Sequence, residues 1–273
     1  MVIVCAVFFA VILIVAGGGL GSKEKSVLSY PGNQSMLFFA HRGLENYFPE
    51  NSMEGFEAAK ACGFKAIETD VREASDDTLV IFHDENCFRL IGIDTQVYRL
   101  SSSQLKNSRI IFNGSASDSK VITLDHLLGK IQNRLVIYLD VKLHDIETAE
   151  KIASLIKKHG LESSTIVANS NILFLALMEF KYPEINTVLE GFKPGKEWIY
   201  TWIPKKFKPD FLASFAEDSD TGHMQWIRNN GLADRKIVYG VTQKDFRQTI
   251  DAGIQKLIMD YDSTLQEEII KYR

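Results

Sequence analysis

The sequence predicts a single α/β domain, a (β/α)8 TIM barrel carrying a small insertion. Three observations predict it. Eight short β-rich runs recur along residues 36–273, with helical patterns between most of them. Strands alternating with helices argue for a parallel sheet. The stretch has the length of one barrel, which takes about 250 residues. Polar clusters also gather where those runs end, the place where barrel enzymes carry their active residues. The bulk numbers agree, since a chain of 273 residues with 45% hydrophobic and 24% charged residues is ordinary globular protein. A net charge of -4, with no basic run or basic-aromatic stripe along the sequence, excludes a nucleic-acid binder.

The elements follow in order. The β-rich runs are residues 36–40, 64–71, 134–141, 165–168, 186–189, 211–214, 236–241 and 256–260. The first helical pattern spans 51–62, with Met53, Phe56 and Ala59 on one face, Ser52 near its start and Gly63 at its end. The second spans 145–159, with Ile146, Ala149, Ile152, Ala153 and Ile156 at helical spacing and Gly160 as its stop. Residues 171–181, 221–230 and 243–252 repeat the pattern, two of them stopped by Gly231 and Gly253. A ninth run, 79–83, follows Val71 too closely for a crossover helix. Ser75-Asp76-Asp77 reads instead as a turn, so the second barrel strand folds back as a hairpin and returns His83 to about the level of Asp70. Residues 85–123 lack clear periodicity and read as an irregular insertion over the barrel mouth.

The N-terminus is read apart from the barrel. Residues 1–22 carry no charge, and 2–16 are nearly all apolar. That length suits either a membrane anchor extended by Leu20 and the glycines or the core of a signal peptide. Residues 23–35, with Pro31-Gly32-Asn33, form a linker to the barrel at 36–273. The expectation is a membrane-anchored or secreted protein, its barrel on the extracytoplasmic side, although Lys23 and Lys25 beside Glu24 lean toward the cytosol. Cys5, Cys62 and Cys87 make no CxxC pair and read as free thiols. Asn33-Gln34-Ser35 and Asn113-Gly114-Ser115 match the N-glycosylation pattern.

The chemistry lies in four clusters at strand ends. His41-Arg42-Gly43 follows the first run. Glu68 and Asp70, two apart on the second strand, face the same way, and a divalent cation is the natural relief of their repulsion. His83-Asp84 is returned beside Asp70 by the hairpin. Asp140 and Lys142 end the third strand. Together these groups suffice for hydrolysis of a phosphodiester. Glu68, Asp70 and Asp140 would hold Mg²⁺ or Ca²⁺. Arg42 and Lys142 would bind the anionic phosphate, while His41 and His83 would serve as base and acid.

His41-Arg42-Gly43, Pro49-Glu50-Asn51-Ser52, Glu68-Thr69-Asp70, His83-Asp84 and Leu139-Asp140-Val141-Lys142 resemble, in order and spacing, the motifs of glycerophosphodiester phosphodiesterases. The resemblance runs from about Leu37 to the C-terminus. It implies a (β/α)8 barrel, catalytic histidines at His41 and His83, and a Mg²⁺ or Ca²⁺ ion on Glu68, Asp70 and Asp140. It also implies hydrolysis of glycerophosphodiesters, or of lysophospholipids that share the linkage, and gives Glu50 and Asn51 a supporting or substrate-contacting role. The chain departs from the family in three places. Asp140 stands where Glu is usual, as in the related sphingomyelinase D group with its Asp-x-Lys. The seventh strand reads Val238-Tyr239-Gly240-Val241-Thr242, and the eighth ends Met259-Asp260-Tyr261-Asp262. Two other readings therefore stand beside the first: a sphingomyelinase D-like lipid phosphodiesterase that forms a cyclic phosphate, and a non-catalytic barrel that binds headgroups at a membrane.

Overall fold

The computed structural model describes residues 28, 36–218, 221–262 and 269. Residues 1–22, Cys5, Asn33 and, apart from Leu28, the linker 23–35 lie outside it. No helix among the described residues is long and apolar enough to cross a membrane.

Eight parallel strands close a barrel: β1 (Leu37–Ala40), β2 (Ala66–Glu73), β6 (Val136–Val141), β7 (Thr165–Asn169), β8 (Asn186–Leu189), β9 (Phe211–Phe215), β10 (Lys236–Val241) and β11 (Lys256–Met259). Each pairs with its neighbour, and β1 completes the ring by pairing with both β11 and β2. The eight strands match the eight runs of the sequence to within two residues at most ends. Alternation along each strand fixes two cores. Side chains pointing inward, among them Phe39, Tyr138, Ile166, Val188, Ala213 and Ile258, fill the barrel, and half-buried Leu28 packs against them. Those pointing outward, such as Phe38, Ile67, Ile137, Val167 and Leu257, pack under the helices.

The helices are α1 (Met53–Ala61), α2 (Phe88–Ile91), α3 (Ser102–Asn107), α4 (Leu124–Ile131), α5 (Ile146–His159), α6 (Ile172–Lys181), α7 (Glu197–Trp202), α8 (Thr221–Asn229) and α9 (Gln243–Asp251). Their starts are chemically marked: Ser52 caps α1, Asp145 caps α5 and Asn171 caps α6, each accepting a backbone N–H of the first turn. Four of these helices are absent from the sequence reading: α2 and α3, which lie in the insertion, and α4 and α7. In α4, Thr123 caps the start and Leu124, Leu127, Leu128 and Ile131 are buried at helical spacing, so the pattern was present but brief. The six residues of α7 are too few to show a period.

The hairpin expectation holds to one residue. β3 (Leu79–Ile81) runs antiparallel to β2, pairing Val71 with Ile81 and Glu73 with Leu79. Phe82 N–H then donates to the Asp70 carbonyl at 3.0 Å, leaving His83 one residue further on. The insertion is more regular than expected. It holds α2, α3 and the antiparallel pair β4 (Arg109–Phe112) and β5 (Ser115–Lys120). Its own small core joins Val80, Phe82, Cys87, Leu90, Val97 and Leu105. The Asn113-Gly114 dipeptide is the turn of this hairpin, both residues at positive φ (50° and 75°), as a tight hairpin demands. Cys87 is a buried free thiol.

Candidate active site

The C-terminal ends of β1, β2 and β6 bring the expected residues together. Asp70 and Asp140 are register partners on adjacent parallel strands, as are Glu68 and Tyr138. Carboxylate oxygens of Glu68, Asp70 and Asp140 all lie within 4.8 Å of one another. Glu68 and Asp70 are buried, and Asp140 is half-buried. Lys142 spans two of the acids, with Nζ 2.9 Å from Asp70 and in hydrogen-bond contact with Asp140. Arg42 turns back over the cluster, its backbone N–H donating to Glu68 (3.1 Å) and its guanidinium 3.2 Å from Asp70.

The crowding shows in the acidities. Burial and the neighbouring charge of Asp70 push Glu68 up to about 8, although His41 and Arg42 pull the other way. Burial also raises Asp140, against the pull of Lys142. Asp70 is held below the usual carboxylate range, because the charges of Lys142 and Arg42 outweigh its burial. Three hard oxygen donors this close, two of them disfavoured as anions, suit a divalent cation. Arg42 Nε is buried against Asp70 at 3.2 Å, an ion pair without hydrogen-bond alignment.

His41 is oriented from behind. Its Nδ1 lies 2.6 Å from Asp260 and 2.9 Å from Glu45, leaving Nε2 facing Glu68 at 3.8 Å. Burial lowers its basicity, but the bonds to Asp260 and Glu45 and the charge of Glu68 outweigh this and raise it to about 11. His83 is held in the same way, with Nδ1 2.7 Å from Asp84 and its carbonyl accepting from Arg72. Every residue expected at the site is thus in one cluster at the mouth.

The backbone is shaped to allow this. Arg42 and Asn51 both take positive φ (48° and 57°), a conformation that residues other than glycine adopt at a cost and that clusters at functional sites. Gly43, at φ 86°, lies where an added Cβ would sit 2.8 Å from the Gly55 backbone, so only glycine lets the first loop pass α1. Asn51 locks the acids: its Nδ2 donates to Asp70 (3.0 Å) while its Oδ1 accepts from Thr69 (2.7 Å).

Four residues with no role from the sequence also belong here. Asp260 and Glu45 orient His41. Glu190, following β8, accepts from the Tyr138 hydroxyl at 2.8 Å and is pushed up to about 8 by burial and by Asp140. Arg89, on α2, joins Glu50 (2.5 Å) to Asp84 (2.6 Å) and so ties the insertion to the rim. Asp260 could have been found as the acid ending the eighth strand. The other three carry no local pattern.

A closed α/β barrel with carboxylates, cations and paired histidines at its C-terminal mouth has the form of a phosphoric diester hydrolase. Residues 41–261 match the Glycerophosphoryl diester phosphodiesterase family, and the chain belongs to that family. A glycerophosphodiester phosphodiesterase of Bacillus altitudinis is 28% identical over 82% of this chain and 94% of its own length. A human lysophospholipase D is 25% identical over 48% of this chain and 44% of its own length. Among solved structures, an Oleispira antarctica phosphodiesterase in complex with the product sn-glycerol-3-phosphate superposes with a TM-score of 0.74 at 20% identity, over 86% of this chain and 96% of that one.

Proposed function

We propose that this chain hydrolyses glycerophosphodiesters, or lysophospholipids sharing the same headgroup linkage, to an alcohol and a phosphomonoester. The observation that carries the reading is the convergence of Glu68, Asp70 and Asp140 within 4.8 Å, with Arg42 and Lys142 beside them. Those three carboxylates would hold one divalent cation, Mg²⁺ or Ca²⁺. When bound, the cation supplies Lewis-acid polarisation of the phosphoryl group and offsets its charge.

The chain's own residues do the rest. Arg42 and Lys142 draw the phosphate oxygens into the mouth and orient them. His41, with Nδ1 held by Asp260 and Glu45, exchanges a proton through Nε2. His83, with Nδ1 held by Asp84, does the same from the hairpin side. One imidazole accepts the proton of the attacking water as its oxygen bonds to phosphorus. The other protonates the alcohol oxygen as its bond to phosphorus breaks. The apolar run at residues 2–16 would place the chain at a membrane, as anchor or as secretion signal.

The test is turnover of glycerophosphocholine, glycerophosphoethanolamine and lysophosphatidylcholine with and without EDTA, followed by Mg²⁺ or Ca²⁺ add-back and phosphorus NMR of the product. Open phosphomonoester formed only with metal supports the reading. A cyclic phosphate supports the sphingomyelinase D-like alternative, which Asp140 with Lys142 favours. A folded protein that turns over none of the three overturns the enzyme reading for these substrates.

A further inference from the structure

We infer that the arc of the barrel mouth formed by α6 and α7 docks on an anionic lipid surface. Three large apolar side chains stand in water there. Leu173 is 80% exposed, Trp198 64% and Trp202 66%. Their place in the fold is shared, because α6 follows the C-terminal end of β7, α7 follows that of β8, and the two strands are neighbours. The arc is therefore continuous with the site: Glu190 begins the very loop that leads to α7.

On α7 the two tryptophans are four residues apart and share one face. The opposite face is already used, with Tyr200 buried against Phe192 and Trp226. The outer face thus has no partner within the described part of the chain. Around it the charge is positive. Exposed Lys193 and half-buried Lys196 precede the first tryptophan, and the carboxylate of Glu197 is taken up by His223 at 2.6 Å. Residues 171–178, from Asn171 along α6, hold no charged side chain at all. The patch has edges: exposed Ile146 lies between Asp145 and Glu147, and exposed Phe215 is followed by Glu217.

This composition selects the partner. Tryptophan concentrates at the bilayer interface, where the ring is buried and its N–H stays wet. Lysines beside it meet anionic headgroups and strengthen the contact. Protein interfaces, by contrast, are depleted in lysine. Docking by this arc would bring the mouth to the lipid surface whichever phosphodiester the site hydrolyses.

The sequence supplies its own probe. Its three tryptophans are Trp198, Trp202 and Trp226, and the apolar N-terminal segment has none. The full chain is mixed with vesicles of phosphatidylcholine, alone or with phosphatidylglycerol, carrying brominated acyl chains. Emission from the two α7 tryptophans should shift to the blue and be quenched on the anionic vesicles. Trp202→Ser leaves Trp198 as the α7 reporter and should shift its quenching isotherm to higher lipid concentration while turnover of a water-soluble substrate persists. Lys193→Glu with Lys196→Glu should weaken the quenching isotherm by roughly tenfold or more. Vesicle binding without quenching would place the contact elsewhere and overturn the inference. So would self-association that buries these tryptophans without lipid, which would make the partner a second copy of the chain.

Discussion

Asp70 and Asp140 are register partners on adjacent parallel strands, and the Lys142 ammonium lies against both. The acids are held side by side by the sheet itself rather than by loops. The strand places Asp140 next to its partner, so even this short side chain brings a carboxylate oxygen within 4.8 Å of Glu68 and Asp70. Asp140→Asn should therefore lower metal affinity and cut kcat/KM by about 100-fold or more, since it removes a charged donor without changing shape. Asp140→Glu should keep most activity. Calorimetric titration with Mg²⁺ and Ca²⁺, run beside the assay, separates lost binding from lost chemistry.

His41 and His83 reach the mouth from different strands, and each has its Nδ1 occupied by a carboxylate. Replacing either with alanine should lower kcat by about 10²–10⁴-fold, the usual worth of a general acid or base, with metal titration unchanged. Asp260→Asn should act through His41: kcat falls less, and the pH profile moves to lower pH because the imidazolium loses its strongest hydrogen-bond partner. An unaltered profile would show that Asp260 is a bystander.

Asn51 joins Thr69 to Asp70 from a left-handed backbone position. Asn51→Ala keeps the unfavourable φ and strips both bonds from buried partners. The expected cost is about 2–4 kcal/mol, read as a fall in Tm and denaturation midpoint. Asn51→Gly relieves the backbone but not the lost amide, so its cost should be smaller and its loss of activity the same.

How much of this was legible in the sequence follows from distance along the chain. His41, Glu68, Asp70, His83, Asp140 and Lys142 could be placed because each ends a strand, and strands in a parallel barrel end at one face. The hairpin returning His83 could be placed because Val71 and Leu79 are too close for a crossover. Glu190 and Arg89 could not, because their roles come from contacts 52 and 39 residues away, with no periodicity to announce them. The order inside the insertion was missed for a related reason: its helices are four and six residues long, β4 has only four residues and β5 is polar, so neither period emerges.

Arg89 is the tie between insertion and barrel. Its guanidinium reaches Glu50 and Asp84 together, and its hydrogen bonds do most to depress Asp84 to about 2. The side chain is half exposed, so Arg89→Ala should cost stability only about 0–1 kcal/mol. Its larger effect should be local. Residues 86–100 should exchange amide hydrogens faster, and KM should rise with Asp84 and His83 less firmly placed. Unchanged exchange there would show that the small core around Val97 and Leu105 holds the insertion without it.

Lys208 is buried, its ammonium 4.0 Å from the centre of the Tyr200 ring and donating to the Tyr200 carbonyl. Burial lowers it to about 8, against about 10.4 in an unfolded chain. Between those values the unfolded state binds more protons than the folded one. This group's contribution to stability therefore rises with pH across that window and is least favourable below it. Lys208→Met removes the titration while keeping the apolar stem. The Tm of the wild type minus that of Lys208→Met, measured from pH 7 to pH 9.5, should therefore increase steadily. A flat difference would mean that Tyr200 keeps the ammonium charged throughout, with the ring and carbonyl offsetting its burial in full.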